Sequence, residues 1–317
     1  MGPEVVFNIQ AGPAWDWRVA MDLYLGGAGV GAILFVVLLD HWFQGRYRRL
    51  SQTAAWLGPV LVAFGLVLIM AKMGRPFNAW NNYTNVNLQS PLWWGGIFQP
   101  IVVVVGILYA WSWRDPDVNV RRRRLLGIVL VPLTVIVGAY HGMLLSLLNS
   151  RPLWNTGPTV IAALLAFATT GTAAVLLVHL LRMGLAGRLS DRDHVARFLD
   201  DLRIVRIILV TLLVTQLGTA FVWWLGLRFG SLDQQQALAA ANAAYGPMFW
   251  YGGIAVGLVL PLLLGGFEVL FGEARSRRGT QVVTIAITSG LILVGGYFFR
   301  LALVLGGQAD LPVNLFF

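Results

Sequence analysis

The sequence contains no cysteine, only four histidines, and charged side chains at just 12% of its 317 residues. Without cysteine, the chain forms no disulfide and ligates no iron–sulfur cluster of the cysteine-bound type. Soluble domains carry about a quarter charged residues, so the shortage of charge excludes an ordinary soluble domain. The sequence also has no metal-ligand set and no nucleotide-binding glycine loop. It predicts no haem, no metal and no electron source within this chain.

Long apolar runs take the place of charge. The chain is 57% hydrophobic, with a mean hydropathy of +0.72. A bilayer core about 30 Å thick requires ~20 apolar residues for each helical span. Eight runs meet this requirement: 19–42, 53–73, 94–113, 124–148, 157–181, 204–228, 247–271 and 281–305. Alternating segments of the β-barrel type are absent. The sequence therefore predicts an all-α integral membrane protein, with residues 1–317 forming a single membrane domain.

The net charge of +9 is concentrated on one side of the predicted membrane. Sixteen arginines fall in or beside the loops after spans one, three, five and seven. The other face has five basic residues: Arg18, Lys72, Arg75, Arg151 and Arg228. Because cytoplasmic loops collect Lys and Arg, we expect both termini to lie outside, in the periplasm of a bacterial inner-membrane protein. The basic charge is then a topology signal and gives no support to nucleic-acid binding. The first eighteen residues lack a basic start followed by an apolar run, so we expect no cleavable signal peptide.

Several short motifs recur at a nearly constant spacing. PLWWGGI (91–97) and PMFWYGGI (247–254) open spans three and seven, and VGAY (137–140) and VGGY (294–297) lie in spans four and eight. The GGI and VGxY matches share an offset of 157 residues. A shift of four spans keeps the orientation of each helix, so these are parallel repeats. The sequence predicts two tandem four-helix units, residues 19–155 and 157–308.

Polar side chains gather near the outer end of the first unit. With a rise of 1.5 Å per residue, Tyr140 and His141 lie about 10–12 Å below the outer boundary. Asp22 lies one turn into span one, and Lys72 and Arg75 close span two at the same face. Polar groups inside a span are costly and mark functional sites. The alternatives are a tyrosine anchored at the interface, a histidine bonded to a backbone carbonyl, and an aspartate wetted from the surface.

The repeat makes the two units unequal in chemistry. Tyr140 corresponds to Tyr297, whereas His141 corresponds to Phe298. Since His has an unperturbed pKa near ~6.5, it can exchange protons near neutral pH. An apolar slot with hydroxyl and imidazole groups suits a flat ligand with two carbonyls, such as a quinone. We therefore expect the site in the first unit.

A second polar group lies near the inner face: Asp40, His41, His179 and Glu268. These residues either form the entrance of a proton path or are helix-end groups that snorkel to water, and we favour the second interpretation. Arg300, deep in span eight, requires a partner that its sequence neighbours do not identify.

Four segments resemble the NrfD/PsrC family of quinone-reactive membrane subunits in polysulfide-reductase-like complexes. They are WDWRVAMDLYLGGAGVGA (15–32), KMGRPFNAWNN…SPLWWG (72–95), AYHGMLLSLLNSRPLWN (139–155) and GGYFFRLALVLGGQ (295–308). The resemblance implies a menaquinone or ubiquinone site near the periplasm. It also implies a ferredoxin-like iron–sulfur subunit docked on the outer face and a molybdopterin catalytic subunit beyond it.

The resemblance also assigns residues. The family's tyrosine on the fourth span matches Tyr140, its polar first-span position matches Asp22, and Arg75 and Trp154 lie in family-like motifs at the same face. One departure is His141, at a position where family members commonly have threonine. We expect Tyr140, His141 and Asp22 to be catalytic, and all five residues to contribute to quinone binding. The chain would then be the quinone-binding membrane anchor of a respiratory oxidoreductase.

Two other classes of protein are compatible with this pattern. A secondary transporter is also built from repeats, but it requires broken helices at matching midplane positions. Pro132 and Pro261 are not equivalent under the repeat, which counts against that class. A purely structural anchor would bind no quinone. Quinone reduction and quinol oxidation both fit the sequence, because the direction depends on the partner's potential.

Overall fold

A computed structural model describes residues 14–43, 46–72, 76–115, 117–275 and 278–309. Within these ranges the chain is helical and contains no strand. In the described part of the chain, eight helices are long and apolar enough to cross a membrane, which agrees with the number of predicted spans. In order they are Trp17–Phe43, Arg48–Lys72, Pro91–Trp111, Val120–Ser146, Pro158–Leu185, Arg203–Arg228, a composite seventh span, and Arg278–Gly306.

The eight spans form two rings of four helices. The first span contacts the second and fourth, and the third completes the ring by contacting the second and fourth. Spans five to eight repeat the same neighbour order. The first and fifth spans lie against each other at the centre. The first is the most enclosed span, since 83% of its most apolar stretch is buried. This arrangement is what two tandem units require, and their origin as a repeat stays a prediction.

Glycines allow the two central spans to touch. A methyl group at Gly31 would overlap the backbone carbonyl of Phe167, and one at Gly27 would overlap the Phe167 ring. On the facing helix, a methyl group at Gly171 would overlap the backbone at Ala32. Small residues permit this close approach, which is how helices gain packing energy where lipid is as apolar as the protein.

The seventh span is longer than its apolar run. The sequence predicts a span over 247–271, whereas the helix begins at Leu232 and continues through Leu232–Pro247, Met248–Val259 and Leu260–Arg275. A capping box between Ser231 and Gln234 starts the helix, and alanines with high helix propensity extend it. Hydropathy does not detect this polar first part. The middle segment, Met248–Val259, is π-helical.

A short amphipathic helix, Arg192–Asp201, lies in the connection between the fifth and sixth spans. Val195 and Leu199 are buried, and Phe198 stacks on His179 of the fifth span with ring centroids 5.5 Å apart. The helix therefore lies against the ends of the spans with its charged side outward.

The first and last spans begin and end on the same side of the bundle. Trp15 N donates to Gln308 Oε1 (2.9 Å), and Gln308 Nε2 donates to Trp15 O (2.8 Å). We call this side the terminal face and the opposite side the arginine-rich face.

Asp16 ties the first two spans together at the terminal face. It accepts from Arg18 Nη2 (2.7 Å) and Lys72 Nζ (3.1 Å). Burial raises the pKa of Asp16, but the hydrogen bonds from Arg18 and Lys72 outweigh it and lower the pKa to about 2. The contacts of the ionised Asp16 with Arg18 and Lys72 therefore stabilise the fold fully above the ordinary carboxyl pKa. This contribution is lost as the pH falls through about 2.

We predict that Gly31→Val destabilises the protein, because the added side chain forces the first and fifth spans apart. Overpacking of this kind costs about 1–3 kcal/mol or more. The measurement is the thermal midpoint of the purified chain in detergent. Gly218→Val is the matched control, since nothing lies within 4 Å of a methyl group at Gly218. Equal losses in the two variants would contradict the proposed role of the central glycine contact.

Candidate functional site

His141 lies at the centre of a buried group of polar side chains. It is 1% exposed, and its Nε2 lies 2.8 Å from Gln99 Nε2. With the amide N–H donating, Nε2 is the acceptor and the imidazole proton resides on Nδ1. Nδ1 has no hydrogen-bond partner among the residues that the structure describes. The fourth span therefore presents an uncommitted N–H inside the bundle.

Tyr140 lies beside His141, with ring centroids 5.2 Å apart. A methyl group at Gly95, at the start of the third span, would overlap the Tyr140 ring and hydroxyl. Only glycine leaves room for the phenol at this point. The tyrosine predicted from the sequence is thus held between the third and fourth spans, next to the histidine.

Asp22 lies on the side of the first span that faces the same group. It is 6% exposed, and its Oδ1 lacks a hydrogen-bond partner within the described part of the chain. Gly65 of the second span makes room for it, since a Cβ there would lie 2.8 Å from Asp22 Oδ1. One turn further on, a Cβ at Gly26 would lie 3.1 Å from His141 Cε1 and 3.7 Å from Gln99 Nε2. Asp22, Gln99, Tyr140 and His141 form one polar cluster, as predicted for all but Gln99.

Gln99 is the member that sequence reasoning missed. It is not ionisable, so a search for buried charges passes over it. A lone amide inside the apolar run IFQPIVVVV was the available signal. Under the 157-residue offset Gln99 corresponds to Val256, just as His141 corresponds to Phe298. The second unit thus lacks both hydrogen-bonding groups.

A narrow cavity borders the polar cluster on the side of the second unit. His141 and Arg300 line it together with apolar side chains that include Leu23, Phe167 and Trp223. Its volume is about 20 Å³, which is room for about one water molecule. The lining comes from spans one, four, five, six and eight. The cluster lies in the first unit, as expected, but the cavity lies between the two units.

Arg300 obtains its contacts from the fifth span. Its guanidinium lies over the Phe167 ring, 4.6 Å from the centroid, and Nη2 donates to Ala163 O (3.4 Å). His141 meets the same Phe167 ring edge-on, with centroids 5.4 Å apart. Phe167 therefore separates the imidazole of the first unit from the cation of the second.

The connection between the fourth and fifth spans contains one further predicted site residue, Trp154. Trp154 is buried, stacks on Trp15 at 5.2 Å and donates from Nε1 to Leu303 O (2.7 Å), which joins the fourth-to-fifth-span connection to the eighth span. Its Nε1 is thus committed to the fold, and quinone contact by Trp154 stays a prediction. Arg75 lies outside the described residues.

Of the four polar residues predicted near the inner face, three are buried away from water. The interpretation that their side chains snorkel to the surface is therefore wrong for these three. Asp40, His179 and Glu268 are buried, whereas His41 is exposed. Asp40 accepts from Arg123 Nε (2.8 Å) and Nη2 (3.3 Å) in a buried ion pair. His179 Nδ1 lies 3.0 Å from Thr53 Oγ1. Neighbouring helices supply partners that hydropathy along one span cannot reveal.

No group of three or more His, Asp or Glu side chains in the described ranges is placed to hold a metal ion. Eight apolar spans around a buried polar cluster define the class: a multi-pass membrane protein with polar groups held inside its helical bundle.

Comparison with known proteins gives the family. The model of the NrfD polysulphide reductase family matches residues 6–312, and the chain belongs to this family. It is 27% identical to the NrfD homolog of Haemophilus influenzae, over 93% of this chain and 94% of the relative. It is 25% identical to NrfD of Escherichia coli over 93% and 95%. The C subunit of the polysulfide reductase of Wolinella succinogenes is 26% identical over 79% and 82%.

We predict that Asp40→Asn strongly destabilises the protein, because it leaves the Arg123 charge buried without its carboxylate. Breaking a buried pair in this way costs about 3–5 kcal/mol. Thermal midpoints should recover in Asp40→Asn/Arg123→Met, which removes both charges. Asp117→Asn, in the exposed pair with Arg48, serves as control and should change little. No recovery in the double variant would show that the ion pair is not the cause.

We predict that Trp154→Phe lowers the thermal midpoint by the equivalent of about 1 kcal/mol, since the hydrogen bond to Leu303 O is lost. If Trp154 serves the fold alone, the activity per folded molecule stays unchanged in this variant. Reduced turnover at an unchanged midpoint would instead assign Trp154 to the ligand.

Proposed function

We propose that this chain is the quinone-reactive membrane subunit of a respiratory oxidoreductase complex. It exchanges electrons between a menaquinone or ubiquinone pool and an iron–sulfur subunit docked on the terminal face, with a molybdopterin catalytic subunit beyond. The observation that carries the proposal is the buried His141. Its Nδ1 is uncommitted, and the residue borders an apolar cavity next to a tyrosine.

The residues fit the chemistry of a quinone, which carries two electrons together with two protons. Donors for its carbonyl oxygens are available from the His141 Nδ1–H, the Tyr140 hydroxyl and the Arg300 guanidinium. Gln99 orients the imidazole and selects its tautomer. The apolar remainder of the cavity excludes water. Because the cavity is small, binding requires lining side chains such as Leu23 and Trp223 to move aside.

Asp22 is the group that connects the site to protons. It lies five residues into the first span, about 7.5 Å along the helix from Trp17. Its unpartnered Oδ1 lies against Gly65 of the second span, and the polar group formed by Asp16, Arg18 and Lys72 lies at the surface above it. His141 exchanges a proton with the ligand, and Asp22 restores that proton from the terminal face.

The terminal face also offers a surface for the electron-transfer partner. The connection between the second and third spans exposes large apolar side chains at Phe77, Trp80, Tyr83 and Leu88, and Phe77 is 92% exposed. Exposed apolar patches of this kind mark protein or membrane contacts. Since the sequence has no cysteine to ligate an iron–sulfur cluster, the electrons exchanged with the partner cross this face. The arginine distribution supports a periplasmic position for it.

The transporter alternative lacks the matched helix breaks that it needs. The seventh span contains the π-helical segment Met248–Val259. Its counterpart, the third span, is α-helical throughout Pro91–Trp111. The irregularity is therefore confined to one half of this pair, which favours a fixed site over alternating access.

We predict that Tyr140→Phe, His141→Leu and Asp22→Asn each lower quinone turnover by at least about tenfold, because removal of a positioned acid or base typically costs 10²–10⁴-fold in rate. The assay measures quinol oxidation, or quinone reduction, by the complex in native membranes. Copurification of the partner subunits shows whether assembly is intact.

Tyr297→Phe is the matched control, since Tyr297 corresponds to Tyr140 in the second unit. It should leave turnover near the parent value. Unchanged turnover in all three cluster variants would refute the site assignment. Equal losses in Tyr140→Phe and Tyr297→Phe would indicate general damage to packing.

A further inference from the structure

A wide groove opens on the arginine-rich side of the first unit, far from the polar cluster along the fourth span. It lies between the first and fourth spans, with Tyr109 of the third span also in its lining. Its volume is about 290 Å³, compared with about 20 Å³ for the cavity beside His141. The quinone chemistry proposed above makes no use of it.

Apolar side chains form most of the groove wall. Val37 and Leu38 come from the first span, and Ile128, Val131 and Pro132 from the fourth. Ile128 is 63% exposed on the outside of the bundle. Since it lies in an apolar span, its exposed side faces lipid, and the groove is open to the bilayer laterally. A ligand with a hydrocarbon chain fits this wall.

Charged groups lie at the end of the groove nearest the arginine-rich face. Arg123 and Asp40 line it, but their bidentate ion pair is buried and neutral overall. Arg124 and His41 also line it and are exposed. The surplus charge at the mouth is therefore positive, and the carboxylate of Asp40 is already neutralised.

Tyr109 forms part of the inner wall of the groove. It is almost completely buried, and its hydroxyl has no hydrogen-bond partner within the part of the chain that the structure describes. Because the hydroxyl oxygen has almost no exposed surface, Tyr109 contributes wall to the groove, and the charged mouth supplies its polar contacts.

We propose that this groove binds one anionic phospholipid, with the phosphate on Arg124 and His41 and an acyl chain along Ile128 and Val131. Basic sites between membrane helices on the cytoplasmic side are suited to anionic headgroups. A soluble phosphate would use only the charged mouth and leave the apolar wall in contact with nothing.

The test is native mass spectrometry of the purified full-length chain titrated with phosphatidylglycerol or with phosphatidylcholine of the same acyl chains. We expect one tightly bound phosphatidylglycerol and weaker binding of phosphatidylcholine. Arg124→Gln should weaken the first by about fivefold, the equivalent of ~1 kcal/mol for one arginine at an anionic headgroup. Arg122→Gln is the matched control, because Arg122 is an exposed arginine on the same helix end and does not line the groove.

Ile128→Trp tests the acyl-chain wall with every charge intact. The larger side chain fills the groove from an exposed position, so the fold is preserved, which circular dichroism and gel filtration verify. We expect it to weaken phosphatidylglycerol binding at least as much as Arg124→Gln does.

Four results would overturn the proposal. Equal losses in Arg124→Gln and Arg122→Gln would indicate general attraction to the arginine-rich face. Equal binding of the two lipids would show that the groove does not select an anionic headgroup. Displacement of the lipid by millimolar inorganic phosphate would identify a soluble anion as the ligand, and displacement by a quinone would identify a second quinone site.

Discussion

The contact between the first and fifth spans is the constraint on which the site depends. Gly27 and Gly31 bring the first span against Phe167, and Gly171 lets the fifth span approach in return. Because of this contact, the Phe167 ring lies between His141 and Arg300 and lines the cavity that both residues border. A bulkier residue at any of these glycines would separate the two units, and His141 and Arg300 would no longer border a common cavity.

The two units share packing and differ in chemistry. Gly95 accommodates the Tyr140 ring, and Gly252, at the same offset of 157, lies against Phe298. Spans three and four therefore approach each other as spans seven and eight do. Polar groups at this contact occur in the first unit, where Gln99 and His141 stand in place of Val256 and Phe298. The two units thus share a helix arrangement, while different residues at a few matching positions give the first unit its hydrogen-bonding groups.

Polar side chains inside the spans have three kinds of hydrogen-bonding environment. Threonines such as Thr134 and Thr170 donate to carbonyls one turn back in their own helix. Asp40 and Arg123 neutralise each other across two helices. Asp22 Oδ1 and His141 Nδ1, by contrast, lack a hydrogen-bond partner in the described ranges. Since an unsatisfied polar atom is expensive in a bilayer, its retention points to a ligand or proton that the fold leaves room for.

The sequence by itself determined the class of protein, the eight spans and three members of the polar cluster. It could do so because hydropathy, arginine distribution and buried ionisable residues are properties of one helix at a time. Tertiary structure decided the rest. It added Gln99, committed Trp154 to Leu303, paired Asp40 with Arg123, extended the seventh span to Leu232, and placed the cavity between the two units. Each of these depends on which neighbouring helix a side chain meets, and that information is absent from the pattern along any single span.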